Sequence, residues 1–180
     1  MIYIFPTETS YGIGCDARDA AAVRKVFEIK KRAPEKSVPL IAANAEMVAK
    51  YVDAAVWQNL EVERAVQNFW PGALTLVLPA NDFARRTLAP QTIAADNTIA
   101  IRVSGHAAAR DLSAQIGAPI VATSANVAGD PAAYTAADAQ KLIGVDTFLD
   151  GGDLPLAPAS TIVRFTNNTW EIIRQGSIKL

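Results

Sequence analysis

Two short pairs of polar side chains have the residue types and the spacing needed to bind an anionic or polar ligand. Lys30 and Arg32 stand at the end of an apolar-periodic segment, and Ser124 and Asn126 follow a short apolar run. In an extended segment, residues two apart point to the same face, so each pair could address one ligand. Arginine holds a phosphate or carboxylate with two parallel hydrogen bonds, and lysine adds a point charge. These pairs are therefore candidates for a site that works on anionic substrates.

Each pair also has a simpler explanation. Pro34 disfavours the α conformation at Ala33, so a helix that runs from Asp16 to about Ile29 is expected to stop near Lys31. Basic residues at a helix end stabilise the helix dipole while remaining solvated. The segment 124–126 could be no more than a turn, because Ser and Asn favour turns. The residue types alone leave both explanations open.

Composition limits the class of protein and its partners. The 180 residues are 51% hydrophobic and 19% charged, which predicts one globular domain over 1–180. The net charge of −1 predicts no overall field that recruits nucleic acid. Cys15 is the single cysteine, which excludes an intramolecular disulfide and fits a reducing, cytoplasmic location. With one histidine a structural zinc site is not expected, and no apolar run is long enough to predict a membrane partner.

Alternating strands and helices must position the two pairs. Hydrophobic periodicity and turn residues predict strands at 2–5, 38–42, 74–78, 98–103, 119–122 and 147–149, and a closing hairpin of 160–163 with 170–174. Helices are predicted at 16–29, 44–51, 53–69, 107–116 and 135–142, with a short one around 83–88, and 7–16 is predicted as a loop. This order predicts a layered α/β protein with a mixed sheet. In the strand 98–103, Thr98 and Arg102 should share one face.

A series of motifs, in order along nearly the whole chain, resembles the YrdC family of threonylcarbamoyladenylate synthases. The motifs are P-T-E-T-S-Y-G-I-G-C-D at 6–16, I-K-K-R at 29–32, P-L-I at 39–41, F-W-P-G-A-L-T at 69–75, I-A-I-R-V at 99–103, A-T-S-A-N at 122–126, D-G-G at 150–152, S-T-I-V at 160–163 and I-I-R-Q-G at 172–176. The lysine-x-arginine and serine-x-asparagine pairs within this frame are its most specific part.

The resemblance implies a fold and a reaction. The fold would be α/β (α+β), a YrdC-like three-layer arrangement with an open twisted mixed sheet, helices around it and a large basic cavity. The reaction would join ATP, L-threonine and bicarbonate into L-threonylcarbamoyladenylate and pyrophosphate, with Mg²⁺ accompanying ATP. The product would supply the threonylcarbamoyl group for adenosine 37 of tRNA. The implied partners are therefore threonylcarbamoyl-transfer proteins downstream, with weak binding of tRNA itself as a further expectation.

The resemblance also assigns roles to residues at matching positions. The residues implied for L-threonine are Thr9, Arg102, Ser124 and Ser160, and those implied for ATP are Arg32, Thr98, Asn126, Thr135 and Arg174. Lys30 would face the reacting carboxyl and phosphate oxygens, so that Lys30, Arg32, Ser124 and Asn126 form the catalytic set. No protein residue is implied as a metal ligand. Positioned cations can stabilise the charge that spreads over the α-phosphate and pyrophosphate without any covalent nucleophile.

Three positions depart from the family pattern, and two other functions remain open. Ser10 replaces an apolar residue before Tyr-Gly, and Val38 and Ala43 replace an Asn and a His that contact substrates in some relatives. One alternative function is a carbamoyl-adenylate transfer module like that of hydrogenase-maturation proteins, which normally carry further zinc-finger and acylphosphatase-like domains. The other is a non-catalytic RNA-binding module, against which the near-neutral charge argues.

Overall fold

The computed structural model describes residues 1–31 and 37–180, in which ten strands form two mixed sheets. The strands are β1 Tyr3–Pro6, β2 Tyr11–Gly14, β3 Leu40–Ala42, β4 Leu74–Pro79, β5 Thr98–Val103, β6 Ile120–Val121, β7 Thr123–Ser124, β8 Thr147–Phe148, β9 Thr161–Thr166 and β10 Thr169–Arg174. One sheet has the order β7-β2-β1-β8, and the other has the order β10-β9-β4-β5-β3-β6. Each sheet contains both parallel and antiparallel pairs. The predicted mixed α/β class is thereby confirmed.

Short helices cover the sheets, and most of them begin where a polar side chain caps the first turn. They are α1 Ala20–Lys30, α2 Ala45–Ala49, α3 Ala54–Trp57, α4 Leu60–Phe69, α5 Asp82–Thr87, α6 Ala107–Ile116 and α7 Ala136–Ala139, with a 3₁₀ turn at Pro90–Thr92. The Asp19 carboxylate accepts hydrogen bonds from the backbone N–H groups of Ala21 and Ala22, which fixes the start of α1. Lys31 has a φ of 49° and ends α1, close to the predicted stop.

The chain forms two sheets rather than the single open sheet that the sequence predicts. The predicted strand 119–122 supplies β6 to the six-stranded sheet, and the chain then enters the four-stranded sheet as β7. The Val121 N–H donates to the Cys15 carbonyl at 2.8 Å, and Asp16 pairs with Ile120, so this segment joins the two sheets. Ile120 and Val121 can serve both sheets because one edge of this segment pairs with β3 and the other edge bonds to residues 15 and 16.

Three other sequence predictions need correction. Part of the predicted loop 7–16 is β2, in which Gly14 allows close packing, because a Cβ there would lie 1.6 Å from the Val121 carbonyl oxygen. The predicted helix 53–69 is interrupted because Asn59 caps a new helix, α4. The predicted helix 135–142 is only α7. Among the described helices, none has the length and apolar character needed to cross a membrane.

Alternation along the central strands separates the core from the side that carries the site. In β4, Leu74, Leu76 and Leu78 are fully buried in the main hydrophobic cluster. In β5, Ile99 and Ile101 point to the same core. The intervening residues of both strands point to the opposite face, because successive side chains of a strand alternate. That opposite face is the floor of a cavity.

Candidate functional site

A cavity of about 520 Å³ lies against the six-stranded sheet and is closed by parts of the four-stranded sheet. Its floor takes alternate residues from three neighbouring strands: Thr75 and Val77 of β4, Thr98, Ala100 and Arg102 of β5, and Ile162 and Arg164 of β9. The predicted substrate residues that line it are Thr9, Thr98, Arg102, Ser124, Ser160 and Arg174. These residues are far apart in sequence, and the fold brings together all four residues predicted for L-threonine and two of the five predicted for ATP.

Arg102 is the most buried charged group of the cavity wall, with 8% of the residue exposed. Its Nη1 makes an ion pair with Glu8 Oε1, and its Nη2 lies 3.5 Å from Thr9 Oγ1. Burial lowers the pKa of Arg102, the Glu8 carboxylate opposes that shift, and nearby Arg174 adds to it. The end of the cavity near Arg102 therefore presents a guanidinium beside a hydroxyl, which suits a carboxylate.

A second hydroxyl group of this end belongs to Ser160, which is 7% exposed. Ser160 Oγ lies 2.9 Å from Thr75 Oγ1 and accepts a hydrogen bond of 3.0 Å from Arg174 Nη2. Arg174 Nε also donates to the Ser160 carbonyl oxygen at 3.0 Å, so two bonds to one residue orient the guanidinium. Burial lowers the pKa of Arg174. Ser160 and Arg174, predicted for different substrates, are thus direct neighbours.

Thr98 marks the other end of the cavity floor. Its hydroxyl donates to Asp96 Oδ1 at 2.6 Å, and Asp96 Oδ2 lies 3.1 Å from Arg164 Nη1. The Thr98 hydrogen bond and the Arg164 charge hold the pKa of Asp96 below its usual range against partial burial. Because the Thr98 hydroxyl hydrogen is committed to a carboxylate, its oxygen can only accept from a ligand.

The two signature pairs are arranged differently from the prediction. Ser124 lines the cavity, but its hydroxyl donates to Asn126 Oδ1 at 2.5 Å. Lys30 is 3% exposed, and its Nζ donates to the Ser124 carbonyl, the Asn126 carbonyl and Asn126 Oδ1 at 2.5, 2.9 and 2.9 Å. Neither Lys30 nor Asn126 is among the lining residues. Lys30 is the last residue of α1 and turns inward to these groups, and the catalytic roles of Lys30 and Asn126 stay predictions.

Two further predicted residues, Arg32 and Thr135, differ in what the structure describes of them. Arg32 lies outside the described residues. Thr135 caps α7, because its Oγ1 accepts from the Asp138 N–H at 3.1 Å and donates to the Asp138 carboxylate at 2.9 Å. Its neighbour Tyr134 does line the cavity, with its hydroxyl donating to the Ala157 carbonyl at 2.9 Å. The nucleotide role of Thr135 stays a prediction.

Sequence reasoning missed Glu8, Thr75 and Arg164. The signal for Thr75 and Arg164 was present, since alternation from Leu74 and from Val163 puts both on the cavity face. The signal for Glu8 was weaker, because only its place in the motif 6–16 pointed to it. With three arginines on the described cavity wall, and Glu8 and Asp96 paired with two of them, the basic character of the cavity remains a prediction.

The donor set of the cavity restricts how Mg²⁺ could bind. Within 1–31 and 37–180, no group of three or more His, Cys, Asp and Glu residues could hold a metal ion. The lining offers hydroxyl groups such as those of Thr9, Thr98 and Ser124. Mg²⁺ keeps several waters and commonly takes its other ligands from substrate phosphates. The residues present therefore fit a Mg²⁺ ion that arrives with ATP, for which phosphate oxygens supply most of the ligands.

Comparisons with known proteins agree with the architecture. The Sua5/YciO/YrdC family model, described as "Telomere recombination", matches residues 1–176. Threonylcarbamoyl-AMP synthase of Idiomarina loihiensis is 36% identical over 170 residues, which are 93% of this chain and 88% of that protein. The crystal structure of P. abyssi Sua5 complexed with L-threonine matches 97% of this chain with a TM-score of 0.85 and 30% identity. This chain spans 50% of that longer protein.

A more distant solved structure shares the fold. Full-length HypF in its phosphate- and nucleotide-bound form matches 96% of this chain with a TM-score of 0.78 and 24% identity, and the match covers 26% of HypF. At that identity the likeness concerns the fold alone.

Proposed function

This chain belongs to the Sua5/YciO/YrdC family, and on that premise we propose that it makes L-threonylcarbamoyladenylate from L-threonine, bicarbonate and ATP, with release of pyrophosphate. Its curated relatives over most of the chain are named threonylcarbamoyl-AMP synthase, and P. abyssi Sua5 was crystallised with L-threonine. The proposal includes a cytoplasmic reaction whose product is consumed by threonylcarbamoyl-transfer proteins acting on tRNA.

The observation that carries the proposal is the span of the cavity floor. Arg102 and Thr98 point into the cavity from one strand, four residues apart. At about 3.3 Å per residue their Cα atoms are roughly 13 Å apart. In the proposed product ten bonds separate the threonine carboxylate carbon from a ribose hydroxyl oxygen, and at about 1.2 Å of advance per bond in an extended chain this is roughly 12 Å. One strand can therefore hold both ends of the product.

The Arg102 end suits the amino acid. The Arg102 guanidinium would hold the threonine carboxylate, with Thr9 Oγ1 beside it. Ser160 and Thr75 offer hydroxyl groups to the threonine side chain. With the carboxylate and hydroxyl fixed, the amine is oriented for attack on bicarbonate, which forms the carbamate and releases water. Positioning of this kind can supply a large part of a rate enhancement.

The Thr98 end suits the nucleoside. Because the Thr98 hydroxyl can only accept, its partner would be a ribose hydroxyl or the adenine amino group rather than a phosphate oxygen. The phosphates then lie between the two ends, near Arg174, and a carbamate oxygen would attack the α-phosphorus as pyrophosphate leaves. The Arg174 charge would stabilise the transition state. Bound Mg²⁺ would neutralise charge on the phosphates.

A pyrophosphate-release assay with ATP and bicarbonate, with and without L-threonine, tests the proposal. Release should require L-threonine, and mass spectrometry should detect the adenylate. L-Serine should be poorer by about 1–3 kcal/mol, the usual value of a missing methyl group. L-Valine should be poorer by on the order of 10⁴ or more, because it leaves a buried hydroxyl partner unpaired. Arg102→Ala should weaken all three alike.

Two outcomes would count against the proposed function. Pyrophosphate release at the same rate with and without L-threonine would exclude synthesis of L-threonylcarbamoyladenylate. Release that instead requires carbamoyl phosphate would favour the carbamoyl-adenylate alternative. Turnover of L-valine at a rate comparable to that of L-threonine would remove Thr9 and Ser160 from the threonine site.

A further inference from the structure

Glu8, in the turn between β1 and β2, binds the end of β5 in the six-stranded sheet through both of its carboxylate oxygens. Oε1 accepts from Arg102 Nη1, and Oε2 accepts from the hydroxyl of Ser104. Ser104 is fully buried, and its Oγ also accepts from the His106 N–H at 3.2 Å. A continuous chain of hydrogen bonds therefore runs from the start of α6 through Glu8 to the guanidinium that faces the cavity.

The loop that carries Glu8 is itself held tightly. Thr7 Oγ1 donates to the Ser10 carbonyl at 2.6 Å and accepts from the N–H groups of Thr9 and Ser10, both at 3.2 Å. These bonds fix the turn between β1 and β2. They leave the Glu8 side chain, which is 22% exposed, directed at the end of β5. The carboxylate is thus placed by a rigid turn, and it reaches from one sheet to the other.

Charge compensation gives Glu8 a second effect on Arg102. Arg174 acts on Arg102 as a like charge, and the Glu8 carboxylate opposes it. The charge of Glu8 therefore partly offsets the effect of Arg174 on Arg102.

We infer that Glu8 is a positioning residue for the amino-acid substrate: it occupies Nη1 of Arg102 and so turns the Nη2 edge, beside Thr9, toward the substrate carboxylate. This inference rests on the proposed function, because it concerns the affinity for L-threonine. Glu8 acts through Arg102 and is not among the residues that line the cavity. Its removal should affect binding of the amino acid and leave binding of ATP nearly unchanged.

Three substitutions separate the geometry of Glu8 from its charge. Glu8→Ala removes both and should raise the KM for L-threonine about ten-fold or more, with the KM for ATP within two-fold. Glu8→Gln keeps an oxygen for Arg102 and gains an amide donor for Ser104, so its KM should stay within about three-fold of the parent value. Glu8→Asp keeps the charge but is too short to reach both partners, and it should resemble Glu8→Ala. Glu46→Gln, at an exposed position of α2, is the matched control and should change nothing.

The assay is pyrophosphate release at varied L-threonine and at varied ATP, with thermal unfolding as a check on folding. If Glu8→Ala fails to fold, the comparison of Glu8→Gln with Glu8→Asp still decides. A Glu8→Asp variant with parental KM, or an equal rise in the KM values of both substrates, would overturn the inference. If the parent protein releases no pyrophosphate, the proposed function fails. Calorimetric titration with L-threonine would then test the role of Glu8, because the parent and Glu8→Gln should bind more tightly than Glu8→Asp and Glu8→Ala. Equal heats of binding for all four proteins would overturn the inference.

Discussion

Cys15 shows at the scale of a single residue how burial decides chemistry. Its side chain is fully buried at the end of β2, beside the point where the two sheets join. Burial raises the pKa of the thiol to about 12, and the charge of Asp19 contributes in the same direction. A thiol with so high a pKa is not a nucleophile at neutral pH. Cys15 is thus a small buried hydrophobe rather than a reactive thiol.

The raised pKa of Cys15 predicts a loss of stability at alkaline pH. Above a pKa of about 9 the unfolded thiol releases its proton while the folded thiol keeps it, so the unfolded state binds fewer protons and stability falls as pH rises toward 12. Between pH 8 and pH 10 this amounts to about 1.4 kcal/mol. Denaturant unfolding of the parent and of Cys15→Ala at both pH values should show that difference, because contributions from tyrosines cancel. An equal loss of unfolding free energy in the parent and in Cys15→Ala would refute this prediction. In the pyrophosphate-release assay, the turnover of Cys15→Ala should stay within a few-fold of that of the parent.

The residues of the site differ in how far the sequence could predict them. Thr98 and Arg102 follow from alternation within one strand, and the structure places both on the cavity floor. The Glu8–Arg102 pair joins residues 94 positions apart, and no local pattern encodes such a pairing. For Lys30, spacing could not show whether the ammonium faces the cavity or turns toward the backbone carbonyls of residues 124 and 126.

At the scale of elements, Lys30 links the end of α1 by hydrogen bonds to the end of β7 and the segment that follows it. Its ammonium group reaches the carbonyl oxygens of Ser124 and Asn126, and the Lys30 carbonyl accepts from the Ala128 N–H at 2.8 Å. The Asn126 side chain completes the turn by donating to the Asp130 carbonyl at 2.6 Å. Ser124 faces the cavity from this turn, so the end of α1 supports a residue of the cavity wall.

Replacing Lys30 should therefore affect both folding and activity. Lys30→Met keeps most of the volume and removes the charged hydrogen bonds, so the free energy of unfolding should fall by about 1.5–3 kcal/mol. Adenylate formation should fall as well, because Ser124 loses its support. Lys25→Met, at an exposed lysine of the same helix, is the matched control. Parental stability in Lys30→Met, measured by denaturant unfolding, would show that these bonds contribute little.

The sequence predicted best those strands and helices that have a clear alternation of apolar residues or a residue that ends the helix. The bounds of β5 and α6 agree with the sequence prediction, since one alternates cleanly and the other ends at Gly117, which has a φ of 73°. The strand β2 was missed because its glycines resemble those of a loop, whereas they serve close packing between sheets. The passage of the chain from β6 in one sheet to β7 in the other depends on pairing with distant strands, which a local pattern does not contain.

At the scale of the whole molecule, positive charge is local and largely compensated. The chain carries 17 Lys and Arg residues against 18 Asp and Glu residues. On the cavity wall Arg102 pairs with Glu8, and Arg164 pairs with Asp96. Such a site can bind small anionic substrates between the two sheets. Within residues 1–31 and 37–180, its wall does not provide the row of uncompensated cations that would follow a nucleic-acid backbone.

This charge distribution predicts that free tRNA binds weakly and with little dependence on salt. Each phosphate that a protein neutralises adds about 0.9 to the slope of log K against log salt on duplex nucleic acid. We expect a slope of magnitude below about 2 and a Kd weaker than about 10⁻⁵ M at physiological salt. Filter binding of unmodified tRNA between 50 and 200 mM salt measures both quantities, and saturating ATP with L-threonine tests whether RNA uses the cavity. Tight tRNA binding with a steep salt slope, in which ATP and L-threonine displace the tRNA, would favour the RNA-binding alternative. An enzyme that only passes on a small product has no need to hold the tRNA in its cavity.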